Sequence, residues 1–65
     1  MRKFKIGDRI RLIEPHQEDN NRLLDYGNTG TIMDDSFVPY VNWDKTDLRN
    51  EIVECICAYQ IELIN

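Results

Sequence analysis

Short alternating runs, each closed off by turn residues, occupy most of this chain and leave few folds open to it. Gly7 and Asp8 lead into Arg9-Ile10-Arg11-Leu12-Ile13, and Gly27-Asn28-Thr29-Gly30 leads into Thr31-Ile32-Met33. Val41-Asn42-Trp43-Asp44 and Ile61-Glu62-Leu63-Ile64 follow. In the first run Phe4, Ile6, Ile10 and Leu12 fall on even positions with Arg9 and Arg11 between them, a period of two that gives a strand one apolar face. A helix needs a period near 3.6, and no segment sustains one. The pattern predicts a small, strongly bent antiparallel all-β domain.

The second strand is expected to begin at the Gly27-Asn28-Thr29-Gly30 turn, whose residues reach positive φ most cheaply. Asp34-Asp35-Ser36 makes the next turn, and residues 38–43 form a third strand with Val41 and Trp43 on one face, Tyr40 and Asn42 on the other. Residues 51–58 return as a fourth strand that is apolar on both sides, Ile52, Ile56 and Ala58 against Val53, Cys55 and Cys57. Its second face must meet something beyond the core: the long loop, the basic N-terminal segment or a second subunit. A single 3₁₀ turn at residues 58–60 precedes the last strand, 61–64. Ile10, Leu12, Ile32, Val41, Trp43, Ile56 and Leu63 are the expected core. Residues 14–26 show no alternation and read as a long polar loop, with Leu23-Leu24 as an apolar pair that tucks it back. Loops of that length are uncommon in a compact domain unless they bind something or are loosely ordered.

In order and spacing these pieces resemble the small SH3-like barrels of the KOW and Mib-Herc2 kind. Short bacterial and phage SH3-like proteins with a Gly-Asp-Arg-Val-Arg-Leu, Gly-Thr-Val and Val-x-Trp-Asp layout are similar over about 50 of the 65 residues. The resemblance implies a five-stranded SH3-like barrel with the long loop after the first strand; a cytoplasmic protein is expected separately, from the lack of a signal-peptide pattern. It does not imply one function, since such barrels serve peptide binding, nucleic-acid binding and assembly alike. Here the glycine-containing turn usual after the Trp-Asp pair is replaced by Lys45-Thr46-Asp47-Leu48-Arg49-Asn50, and no proline-rich ligand carries over.

At 65 residues the chain holds one domain, residues 1–65, with 42% hydrophobic and 31% charged residues, a globular balance. A domain this small buries only about 60% of its unfolded surface, so both a monomer and a homodimer are open. No internal repeat or linker is visible. No apolar run approaches the roughly 20 residues of a membrane span, and no signal-peptide pattern follows the basic Met1-Arg2-Lys3-Phe4-Lys5.

Charge is unevenly spread. Residues 1–13 carry five basic side chains and one acid, while residues 14–65 carry three basic and eleven acidic ones. The acidic bulk disfavours a general nucleic-acid binder, whose phosphate contacts need a dominant positive field. Only Arg2, Lys3, Lys5, Arg9 and Arg11 form a basic strip that a nucleic acid could use.

Catalysis finds no positioned set of groups: His16 is the only histidine, it lies in the polar loop, and no Ser, Cys or carboxylate stands at a catalytic spacing to it. Asp34-Asp35 before Ser36 are turn formers before they are metal ligands. The cysteines, Cys55 and Cys57, would share one strand face with Cα atoms about 6.6 Å apart, at the upper edge of disulfide geometry. Two thiols are two short of a structural zinc site, so they are expected to be reduced and buried, with no metal or other cofactor. Tyr26, Phe37, Tyr40 and Tyr59 are the aromatics expected outside the core, and aromatics with a polar handle are enriched at interfaces. The leading expectation is therefore a non-catalytic protein-interaction module, with His16, Arg22, Tyr26, Phe37 and Tyr40 as its candidate binding residues. The alternatives are an acidic inhibitor that imitates nucleic acid or masks a nucleic-acid-binding partner, and nucleic-acid binding through the basic strip.

Overall fold

The alternating runs pair into one antiparallel sheet in the computed structural model, which describes residues 4–14 and 24–64. The strands are β1 (Arg9–Leu12), β2 (Thr29–Asp34), β3 (Tyr40–Trp43), β4 (Ile52–Cys55) and β5 (Ile61–Leu63), with the expected 3₁₀ turn at Ala58–Gln60. Their order across the five-stranded sheet is β4-β3-β2-β1-β5. The all-β class stands. The expected barrel is not closed: β4 and β5 are opposite ends of an open sheet, each hydrogen-bonded to one neighbour. A bulge interrupts β2, where Met33 is inserted between the pairs Ile32↔Val41 and Asp34↔Tyr40, the kind of irregularity that bends a strand.

Two glycine turns set the register of β1 and β2 in the same way. In the first, the Asp8 N–H donates to the Lys5 carbonyl at 3.0 Å, and Gly7 takes φ 95° in the third position, where a type II turn needs it. In the second, the Asn28 N–H donates to the Asp25 carbonyl at 3.0 Å, with Gly27 at φ 88°. Each turn is locked by the side chain of its last residue: Asp8 Oδ2 accepts from the Lys5 N–H at 2.9 Å, and Asn28 Oδ1 from the Asp25 N–H at 3.0 Å. Each glycine N–H then reaches the other strand, Gly7 to the Ile32 carbonyl and Gly27 to the Leu12 carbonyl, both at 2.8 Å. Residues 5–12 and 25–32 are therefore related by a local two-fold axis between β1 and β2, a repeat that identity alone does not reveal. Gly30 is not in the positive-φ region.

Inside, Ile10, Leu12, Ile32, Val41 and Trp43 are fully buried, joined by Phe4, Leu24, Ile56 and Ile61. Leu63 corrects the expected core: it is 52% exposed, because β5 ends the sheet and only its first residue, Ile61, lies over the interior. Ile6 is also exposed, since it sits at the apex of the first glycine turn and not in the strand. Leu24 does bring the end of the long loop onto the core. The Trp43 indole N–H is buried with no hydrogen-bond partner among the described residues.

The chain lead-in and the 3₁₀ turn are anchored by buried polar groups. Asp35 is buried, and its Oδ2 accepts from the Phe4 N–H at 2.9 Å. Asp34, as expected of a turn former, accepts from the Ser36 hydroxyl at 3.1 Å. Gln60 is buried too; its Nε2 donates to the Glu14 carbonyl at 2.8 Å and its carbonyl accepts from the Ile13 N–H at 2.8 Å.

Candidate functional site

Strand alternation sorts the polar and apolar side chains of the outer sheet face into two zones. Toward β1 and β5 the face is ionic. Arg9 meets Asp44 with a forked pair of hydrogen bonds, Nη1 to Oδ1 at 3.0 Å and Nη2 to Oδ2 at 2.5 Å, and Nη1 also donates to the Thr31 hydroxyl at 2.7 Å. The Thr29 hydroxyl donates to Asp44 Oδ2 at 2.6 Å. The Arg9 hydrogen bonds hold the Asp44 carboxyl below its ordinary pKa of 3.8, with partial burial pushing the other way and Thr29 and Arg49 assisting. Arg11 faces Glu62 directly across the β1–β5 ladder and is ion-paired with it, its Nε donating to Oε2 at 2.8 Å. Both guanidiniums are held protonated more firmly than usual, each first by the hydrogen bond to its carboxylate.

Arg49 organises the connection between β3 and β4. It is buried; Nη1 donates to the Asp44 carbonyl at 2.8 Å and the Asn50 carbonyl at 3.1 Å, and Nη2 to Asn28 Oδ1 at 3.3 Å. This one side chain ties the β3–β4 connection to the second glycine turn.

Toward β4 the outer face is apolar and open. The register pairs Tyr40 with Cys55 and Asn42 with Val53, and Tyr40, Val53 and Cys55 are all exposed. Here the sequence reading is corrected: both Cys55 and Cys57 are exposed thiols. The reason is architectural. Among the described residues no further element is layered on the outer face of the sheet, and β4 is at the end of the row, so Val53 and Cys55 are exposed where burial of the thiols was expected.

Of the candidate binding residues, Tyr40 lies in this open patch, while Phe37, 98% exposed, stands in the β2–β3 connection. Tyr26 is exposed at the apex of the second glycine turn, where β2 begins; the β2–β3 connection carrying Phe37 is at the other end of that strand. Tyr59 is exposed in the 3₁₀ turn. His16 and Arg22 lie outside the described residues, as do Arg2 and Lys3 of the basic strip. Lys5 is exposed, and Arg9 and Arg11 share the outer face. Of the carboxylates an acidic mimic would display, Glu18 and Asp19 lie outside the described residues, Asp47 is exposed, Asp34 closes a turn, Asp35 is buried and Asp44 is paired with Arg9. The residues missed at the sequence level are Val53, Asp44, Thr29, Thr31 and Arg49. The signal for Val53 was present in the two-sided apolar pattern of β4; that for Arg49 was not, since its partners are two backbone carbonyls and the Asn28 amide oxygen, brought together by the fold.

Comparison of the chain with protein-family models, curated proteins and solved structures finds no match.

Proposed function

We propose that the chain is a non-catalytic protein-interaction module, an SH3-like domain of the bacterial or phage kind whose sheet stays open, working in the cytoplasm, and that it takes its protein partner on the outer face of β3 and β4. The observation that carries this reading is the side-by-side exposure of Tyr40, Val53 and Cys55 on one sheet face. Apolar and aromatic groups in such a patch supply binding energy that solvent does not reward, and a tyrosine gives it a polar handle. A nucleic-acid reading draws less support, because Arg9 and Arg11 already serve Asp44 and Glu62, and a phosphate would have to displace a carboxylate to use them.

The test is affinity capture from the source cell with the wild type, with Tyr40→Glu plus Val53→Glu, and with Arg9→Ala plus Arg11→Ala. The expected result is a protein captured by the wild type and the arginine variant but lost from the patch variant. Capture that survives the patch variant, or salt-sensitive submicromolar binding of the wild type to random DNA or RNA in a gel shift, overturns it.

A further inference from the structure

Cys55 closes β4 and Cys57 precedes the 3₁₀ turn, with Ile56 between them. Ile56 is buried, and its N–H donates to the Pro39 carbonyl at 3.0 Å, so the extended backbone continues beyond Cys55. Cys57 is itself extended, at φ −76° and ψ 142°. Successive side chains of an extended backbone alternate, which turns both thiols to the side away from the core, and both are exposed. Free cysteine is ordinarily among the most buried residue types, yet here two are exposed on one face within three residues, Cys57 also standing as the cap of the 3₁₀ turn. Their backbone is held in place. The Gln60 N–H donates to the Cys57 carbonyl at 2.9 Å, the Cys57 N–H donates to Gln60 Oε1 at 3.2 Å, and Gln60 is in turn fastened to residue 14.

Spacing and donor number select a chemistry. Extended residues two apart place their Cα atoms about 6.6 Å from each other, which strains an S–S bond of about 2 Å. Two metal–sulfur bonds of about 2.3 Å laid end to end span about 4.6 Å, which two side chains leaning toward each other can reach. Zinc takes four ligands, and among the described residues no group of three or more His, Cys, Asp or Glu is placed to hold a metal. Calcium and magnesium take oxygen. A soft monovalent cation is satisfied by two thiolates in line and prefers them to every other side chain.

We propose that Cys55 and Cys57 form a two-coordinate dithiolate site for a soft monovalent cation of the Cu(I) class. On binding, each thiol gives its proton to solvent as its sulfur bonds the metal; nothing is oxidised or reduced. The site shares Cys55 with the patch assigned to the partner, but metal binding by the isolated chain does not depend on that reading.

The test is an anaerobic titration of the reduced protein with Cu(I) delivered from a competing chromophoric chelator. The expected result is one Cu(I) per chain with no change of molecular mass in solution, and amide shifts confined to residues 53–60. Cys55→Ser and Cys57→Ser should each weaken binding by at least about 100-fold, because the second thiol is supplied at a high effective concentration by the first. Cys→Ala variants at the same positions carry the comparison if a serine chain does not fold. A single-cysteine variant that binds within about threefold of the wild type overturns the proposal, as does half a Cu(I) per chain with formation of a dimer, which would place the metal between two molecules.

Discussion

Replacing Gly30 by alanine should destabilise this protein, although the same change in most strands does the opposite. Glycine in a strand interior is about 0.5–1 kcal/mol less favourable than alanine, so where space allows, the substitution gains stability. Gly30 lies on the inner face, opposite Ile10 on one side and Trp43 on the other. A Cβ there would stand 2.5 Å from Val41 Cγ1, 2.9 Å from the Asn42 carbonyl oxygen and 3.2 Å from Trp43 Cα. Two of those neighbours are backbone atoms of the adjacent strand, and the third belongs to a fully buried β-branched side chain with one preferred rotamer. Relief requires β2 and β3 to separate. Overpacking of this kind costs about 1–3 kcal/mol, which outweighs the entropic gain and leaves a net loss of about 1–2 kcal/mol. For a domain of this size that lowers Tm by about 5–15 °C. Trp43, the only tryptophan and fully buried, reports the transition by fluorescence in urea or on heating. Val41→Ala removes the closest contact, so its cost should be smaller in the Gly30→Ala background than in the wild type, a coupling that isolates the steric term. A Tm equal to or above that of the wild type, or strict additivity with Val41→Ala, would refute the close-approach account.

Asp44 predicts an acid limb: its folded pKa is depressed below 3.8, so the stability it contributes is complete above that value and is lost as pH falls through the lower folded pKa. Urea titrations at a series of pH values should show that Asp44→Asn is less stable than the wild type at neutral pH, with the gap narrowing below about pH 4; a constant gap would argue against it. Asp35→Ala should cost about 1–3 kcal/mol in chemical denaturation by leaving the Phe4 N–H without its acceptor, and a change within error would mean that water replaces the carboxylate freely. Ile61→Ala should cost about 2–4 kcal/mol and Leu63→Ala under about 1 kcal/mol; equal losses would contradict the placement of β5.

Strand positions were legible in the sequence because alternation and glycine turns are local signals. Arg9, Ile10, Arg11 and Leu12 carry their facing in their own order, and Val41 and Trp43 do the same. Strand neighbours are not local. Whether Leu63 or Ile61 is buried depends on how far β5 reaches along β1, and whether Cys55 is buried depends on which strand is last in the row. Gly30 shows the same limit. Its residue type suggested a turn with positive φ, but its reason is the Val41 side chain and two backbone atoms of a strand more than ten residues away. Arg9 was readable as an outward cation, whereas its carboxylate partner, 35 residues on, was not.

Because β1 lies between β2 and β5, the sheet has two folding problems of unequal difficulty. β2, β3 and β4 succeed one another in the chain as a meander whose pairings close short loops. β1 pairs with β2 across residues 9–31 and with β5 across residues 10–63, the longest-range pairing among the described strands. Loop closure must be met before such contacts reward it, so the meander can form early while β1 waits for the end of the chain. During synthesis, Ile10 and Leu12 have no complete shelter until Ile61 has emerged. The exposed interval is set by strand order, and a design that shortened it would have to move β1, not strengthen it.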